Sequence, residues 1–107
     1  MDTFDLKYIR ALIREERYRL TQHAEKEREA DKITIREIEQ ALLSHPCEII
    51  EKYPNDPRGE SCLILGFTQE QKPIHVVCGI QEEGFLVIIT VYRPDPNLWT
   101  DYRKRRE

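Results

Sequence analysis

The residues with most to offer chemically are two histidines, a tyrosine–arginine pair and a set of arginines near prolines and in the final residues. His23 follows Thr21, a residue suited to N-cap a helix, in Thr21-Gln22-His23-Ala24-Glu25-Lys26-Glu27. That placement puts the ring in a first helical turn, where backbone dipoles oppose imidazolium formation. A neutral imidazole is what a general base requires near neutral pH. Glu27, four residues on, could orient the ring. By spacing alone the stretch reads more readily as a solvated helix end whose histidine packs beside the sheet. His75 lies in Pro73-Ile74-His75-Val76-Val77-Cys78. Strand alternation puts it with Val77 on one face and Ile74, Val76 and Cys78 on the other. It reads either as the mark of a sheet's functional side or as a hydrogen-bonded core histidine.

Tyr92 and Arg93 end the longest β-branched run, just before Pro94 and Pro96 stiffen the exit. An arginine on a rigid strand end suits a phosphate or carboxylate, because its planar fork bonds bidentately. Arg58, in Asp56-Pro57-Arg58-Gly59, sits on a similarly constrained turn. Either arginine could instead bridge to Asp56 or Asp95. The tail Arg103-Lys104-Arg105-Arg106, just after Trp99 and Tyr102, would attract a polyanion less strongly as salt rises. A solvated tail that favours its helix C-terminus is the commoner explanation. Cys47, Cys62 and Cys78 show no metal-ligand spacing, and a centre built from His23, His75 and Cys78 fits no known pattern. No metal site and no cofactor is therefore expected. Reduced cysteines inside apolar runs act as small hydrophobes. No P-loop, GxGxxG, HExxH or GxSxG occurs.

These side chains must be positioned by a small framework. Leu6, Ile9 and Ile13, flanked by Tyr8 and Leu12, predict a helix over 5–17, with Asp2, Thr3 and Asp5 as candidate caps. Tyr18 to Thr21 is a short β-compatible stretch. A polar, mostly exposed helix follows from Gln22 to Lys32. Thr34-Ile35-Arg36-Glu37 is a capping box opening a helix that His45-Pro46 stops. From Cys47 the period becomes that of strands: 47–53, 61–68, 73–80 and 85–92, with a turn at Gln81-Glu82-Glu83-Gly84. Short connections imply antiparallel neighbours. The expected architecture is α+β: N-terminal helices packed on a four-stranded antiparallel meander, closed by a short C-terminal helix over 97–106. The sheet's other side is left to face solvent or a partner.

The chain has 107 residues, 35% of them charged, with a net charge of −3. That is one domain with one modest core, and it is too acidic overall for a basic nucleic-acid glove. Residues 1–17 form an additional helix and 18–107 the core. Apolar runs fall far short of the ~18 to 20 residues that cross a bilayer, and from the acidic start no secretory signal is expected. A soluble, cytoplasmic domain is expected, with no membrane partner.

His23-Ala24 after a short strand, Ile33 opening a helix, Pro73-Ile74-His75-Val76-Val77, then Ile88-Ile89-Thr90-Val91-Tyr92-Arg93-Pro94-Asp95 and Trp99 resemble domain-of-unknown-function family 4258 over about Arg19 to Arg105. The resemblance implies a RelE/BrnT-like toxin fold, whose members include metal-independent endoribonucleases held by an antitoxin. Enzymatic activity is carried by fold analogy alone. Glu27 and Arg28 depart from the pattern after the His-Ala pair in many relatives. On this reading His23, His75, Tyr92 and Arg93 are catalytic, and Glu27, Arg58, Arg103 and Arg105 bind substrate RNA. The alternative is a non-catalytic interaction module that binds an antitoxin-like protein or a second copy of itself.

Overall fold

The computed structural model describes residues 5–82 and 84–107. Helix α1 (Leu6–Arg14) is capped by Asp5, whose side chain accepts from the Tyr8 amide. It ends earlier than the apolar spacing predicts, because Glu16 adopts a left-handed φ of 59° and turns the chain into β1 (Tyr18–Leu20). Helix α2 (Gln22–Ala30) ends in the same way at Lys32, with φ 57°. At each of these two ends the following amide, Arg17 or Ile33, bonds back to a carbonyl five residues earlier, Leu12 or Arg28. These are Schellman closures made without glycine. Helix α3 (Ile35–Leu42) opens on the expected Thr34–Glu37 capping box. The candidate caps Asp2 and Thr3, and Glu83 of the expected turn, lie outside the described residues.

Strands β2 (Glu48–Tyr53), β3 (Ser61–Phe67), β4 (Pro73–Glu82) and β5 (Phe85–Tyr92) are sequential antiparallel neighbours. The sheet is not the four-stranded antiparallel meander expected. It has five strands in the order β1-β5-β4-β3-β2, and β1 joins β5 in parallel. Three residues between two helices suffice, since the edge of β5 offers unpaired backbone groups to whatever lies beside it. The C-terminal segment is also corrected. Residues 97–106 form no helix but a hairpin of β6 (Trp99–Thr100) and β7 (Lys104–Arg105). Asp101 and Tyr102 both have left-handed φ, 54° and 61°, so they are the central residues of a turn, closed by the Arg103 amide on the Thr100 carbonyl, within a three-residue hairpin loop that cannot continue a helix.

Helices α1, α2 and α3 cover one face of the sheet. Ile9, Leu12, Ile38 and Leu42 bury themselves there against Cys62, Ile64, Val76 and Ile88. The guanidinium of Arg10 ties α1 to α3 by donating to the carbonyls of Leu43 and Ser44 and to His45 Nε2. On the far face Leu63, Leu65, His75, Val87 and Ile89 are buried too. The hairpin lies over part of that face. Among the described residues no helix is long and apolar enough to cross a membrane.

Strand β5 borrows its missing edge from α2. The Thr21 amide and hydroxyl donate to the carbonyls of Ile88 and Ile89, at 2.9 and 3.0 Å. Beyond them Glu27 Oε1 accepts from the Val91 amide and Asp31 Oδ2 from the Arg93 amide, each at 3.0 Å. The match is geometric. Four helical residues rise about 6 Å and two strand residues about 6.6 Å, so i,i+4 carboxylates meet i,i+2 amides.

Close approach of α3 to the sheet occurs at Gly66, where an added Cβ would lie 2.0 Å from the Ala41 carbonyl oxygen. Gly66→Ala is therefore expected to lower stability by about 3 kcal/mol, measured as a shift in urea midpoint with unchanged slope. A neutral result would show that α3 can retreat freely from β3.

Candidate functional site

Strand register arranges the far face in cross-sheet rows. Glu48, Leu65, His75 and Tyr92 form one row, and Glu51, Leu63, Val77 and Thr90 the next. A third row begins with Tyr53 opposite Ser61. The hairpin docks along the first two. Arg103 Nε donates to both oxygens of Glu48 at 2.8 and 3.0 Å, while Arg105 forks onto Glu51 at 2.9 and 3.0 Å. Arg105 also lies over the Trp99 ring, 4.7 Å from its centroid. Trp99 in turn meets His75 edge-on, with centroids 4.5 Å apart.

His75 has no solvent exposure, and both ring nitrogens are engaged. Nε2 lies 2.7 Å from the Tyr102 carbonyl oxygen, which can only accept, so Nε2 carries the proton. Nδ1, at 3.1 Å, then accepts from the Tyr92 hydroxyl. Burial lowers the imidazole's affinity for a second proton, against the smaller pull of the Tyr102 carbonyl. Burial likewise raises the Tyr92 phenol. At Glu51 burial pushes the carboxyl up, but the Arg105 fork and the Tyr53 hydroxyl outweigh it and leave the group below its ordinary value. Tyr53, half-buried and donating to Glu51, is pushed up to about 12 by burial and then by that carboxylate. The cluster therefore holds an ionised carboxylate, a guanidinium whose side chain is 63% exposed, two protonated phenols and a neutral imidazole.

Of the eight residues singled out from the sequence, His75, Tyr92 and Arg105 converge here, and Arg103 joins their border. The others go elsewhere. His23 is 66% exposed and lies 3.4 Å from Glu27 at the start of α2. Glu27 does not serve that ring alone, since its other oxygen caps the Val91 amide. Arg93 turns back to the end of α2, donating to the carbonyls of Asp31 and Lys32 and reaching Glu37 at 3.4 Å. This is a helix C-cap with an electrostatic reason, cations being favoured beside terminal carbonyls. Arg58 forks onto Asp56 at 3.1 and 3.0 Å within its own loop and holds that carboxyl well below the usual range.

Glu51 and Tyr53 were not among the sequence candidates. Their period-2 spacing places both on one strand face, which is the available signal. The adjacent Ile49 and Ile50 obscure it, because the register shifts there and brings Glu48 to the same side. The cysteines stay apart from this centre. Cys62 and Cys78 are buried partners across β3 and β4 on the helix side, and Cys62 and burial together raise the Cys78 thiol. Among the described residues, no group of three or more His, Cys, Asp and Glu side chains is placed to hold a metal ion.

The roles of Glu27 and His23 separate by experiment. Glu27→Ala leaves a half-buried strand amide unpaired and is expected to lose about 1–3 kcal/mol, whereas His23→Ala stays within about 0.5 kcal/mol. Chemical denaturation of both variants tests this, and equal effects would remove the edge-capping role.

Residues 20–93 match the family described as a domain of unknown function (DUF4258). No curated protein and no solved structure matches the chain. The match is shorter at both ends than the stretch from Arg19 to Arg105 that carries the resemblance. It takes in Glu51, Tyr53, His75 and Tyr92 and leaves out α1 and the hairpin with Arg103 and Arg105. Extending over well more than half of the sequence, it settles the assignment: the chain belongs to the DUF4258 family.

Proposed function

We propose that the chain is a RelE/BrnT-like endoribonuclease that needs no metal and works on the far face of its sheet. The carrying observation is the pairing of an ionised carboxylate, Glu51, with the partly exposed guanidinium of Arg105, beside the half-buried phenols of Tyr53 and Tyr92. In this reading Glu51 takes the proton of a ribose 2′-hydroxyl. The 2′-oxygen attacks the adjacent phosphorus, and the bond from phosphorus to the 5′-oxygen breaks. Arg105 compensates the charge that builds on the phosphoryl oxygens. The Tyr92 hydroxyl turns from His75 Nδ1 and gives its proton to the departing 5′-oxygen, and solvent then carries the proton held by Glu51 back to the Tyr92 phenolate. The products are a 2′,3′-cyclic phosphate and a 5′-hydroxyl. His75 is a positioning residue here: wholly buried, it acts through the Tyr92 hydroxyl. His23, Arg58 and Arg93 have no part in it.

An antitoxin-like protein, or a second copy of the chain, enters this reading as a partner that covers the same patch. Co-purification from the native host tests that part.

Purified chain incubated with RNA in excess EDTA is expected to give fragments ending in 2′,3′-cyclic phosphate. Glu51→Gln and Arg105→Ala are each expected to slow cleavage about 100-fold or more, with His23→Ala unaffected. Loss of cleavage on chelation, or none from folded chain, rejects the proposal. So does cleavage indifferent to Glu51 and Arg105.

A further inference from the structure

His75 does more than orient Tyr92, because the carbonyl it grips belongs to the hairpin. Tyr102 O accepts from Nε2 at 2.7 Å, and Tyr102 is one of two successive residues in the left-handed region, φ 54° and 61°. Side chains with a Cβ adopt that conformation at a cost, so the turn needs something to hold it. The ring also carries Trp99, itself only 4% exposed. The Tyr102 carbonyl favours a charged ring, but complete burial of the imidazole under the hairpin outweighs it and favours the neutral one. A proton added at Nδ1 removes the acceptor that Tyr92 uses and places a charge among aromatic rings without water.

The charged and titratable groups around the ring come from every element packed on it. From β2, Glu51 favours a charge on His75, and the Arg105 guanidinium of the hairpin opposes it. Glu48 is committed to Arg103, which also binds Asp101. Tyr53 and Tyr92 have phenols raised above their ordinary value and stay neutral. Burial outweighs the help that Glu51 offers.

We propose that His75 is a proton-operated latch: neutral, it clamps the C-terminal hairpin to the sheet, and protonated, it releases the hairpin and draws Arg105 away from Glu51. The consequence for cleavage rests on the nuclease reading above, while the latch itself does not. With the hairpin free, the ring titrates near its ordinary value of ~6.5. Docked, it titrates lower. Clamping is therefore complete above ~6.5 and weakens as pH falls toward the docked value, by at most about tenfold per pH unit. Glu51 does not produce the same transition, because its carboxyl is held below its ordinary value, which already lies under that window.

Trp99 is the only tryptophan and reports directly on the hairpin. Its emission and the hydrogen-exchange protection factors of residues 94–107 are followed from pH 8 to 5 at fixed ionic strength. His75→Gln is measured alongside, since its amide can still donate to the Tyr102 carbonyl and does not titrate. The latch predicts that hairpin protection falls about tenfold or more below pH 6.5, while β3–β5 keep theirs. Trp99 emission moves in step, and His75→Gln shows neither change. Hairpin protection that ignores pH, that falls together with the whole sheet, or that falls equally in His75→Gln overturns the proposal. Where His75→Gln does not fold, the imidazole nitrogen resonances of the unaltered chain decide. Titration in step with Trp99 emission sustains the latch, and titration out of step removes it. Cleavage assayed in parallel separates the two proposals: release of the hairpin in a chain that cuts nothing removes the nuclease alone, and cleavage with an immobile hairpin removes the latch alone.

Discussion

A sheet that is apolar on both faces needs two covers, and most of this molecule follows from that requirement. In β3 and β5 consecutive residues are buried, Leu63 with Ile64 and Val87 with Ile88, so alternation sends apolar side chains to both sides. Three helices cover one side. The other is partly covered by a hairpin of two short strands, placed over the row that contains His75. Polar groups trapped beneath such a cover must find partners, since a buried donor or acceptor left alone costs more than a typical hydrogen bond contributes. His75 finds Tyr92 and Tyr102, and the partly exposed pairs of Glu48 with Arg103 and Glu51 with Arg105 border it. The chemistry proposed here thus sits at the border of groups that the fold has to pair in any case.

The helical framework is legible from local chemistry. Thr21 and Thr34 behave as caps because a hydroxyl can accept from an amide three residues on, whatever lies beyond. Strand existence is legible for the same reason, through period and turn residues. Topology is less so. Whether Tyr18–Leu20 pairs at all, and in which direction, depends on where β5 lies at the end of folding, and no local pattern encodes that. The C-terminal helix fails on turn chemistry: Asp101 and Tyr102 take left-handed φ without a glycine or asparagine to announce it.

Half of the candidate site is legible, and the division has a physical basis. A strand residue's face can be read from its neighbours, so His75 and Tyr92 belong together. An arginine's partner cannot be read this way, because a long, flexible side chain pairs with whatever tertiary structure brings near. Arg93 seeks helix carbonyls, Arg58 its own loop and Arg105 the opposite edge strand. The open far side expected from the sequence overlooks a signal that is present. Ser61-Cys62-Leu63-Ile64-Leu65 and Phe85-Leu86-Val87-Ile88-Ile89 are continuous rather than alternating, as strands buried on both faces are.

The hairpin's docking also decides which interactions matter for the site. A lone two-stranded hairpin is marginal in water, so its place depends on what it touches. Ion pairs with this much exposure, Arg105 at 63% and Arg103 at 35%, are worth between nothing and about 1 kcal/mol each. Burying an indole removes about 150–250 Å² from water and contributes several kcal/mol. Trp99 and its contact with His75 therefore dominate docking, and the arginines chiefly set register along Glu48 and Glu51. The guanidinium nearest the proposed chemistry is held in place mainly by an aromatic contact on another strand. Position in this site is governed by the imidazole beneath the indole, which is why one proton there can act on a cation it does not touch.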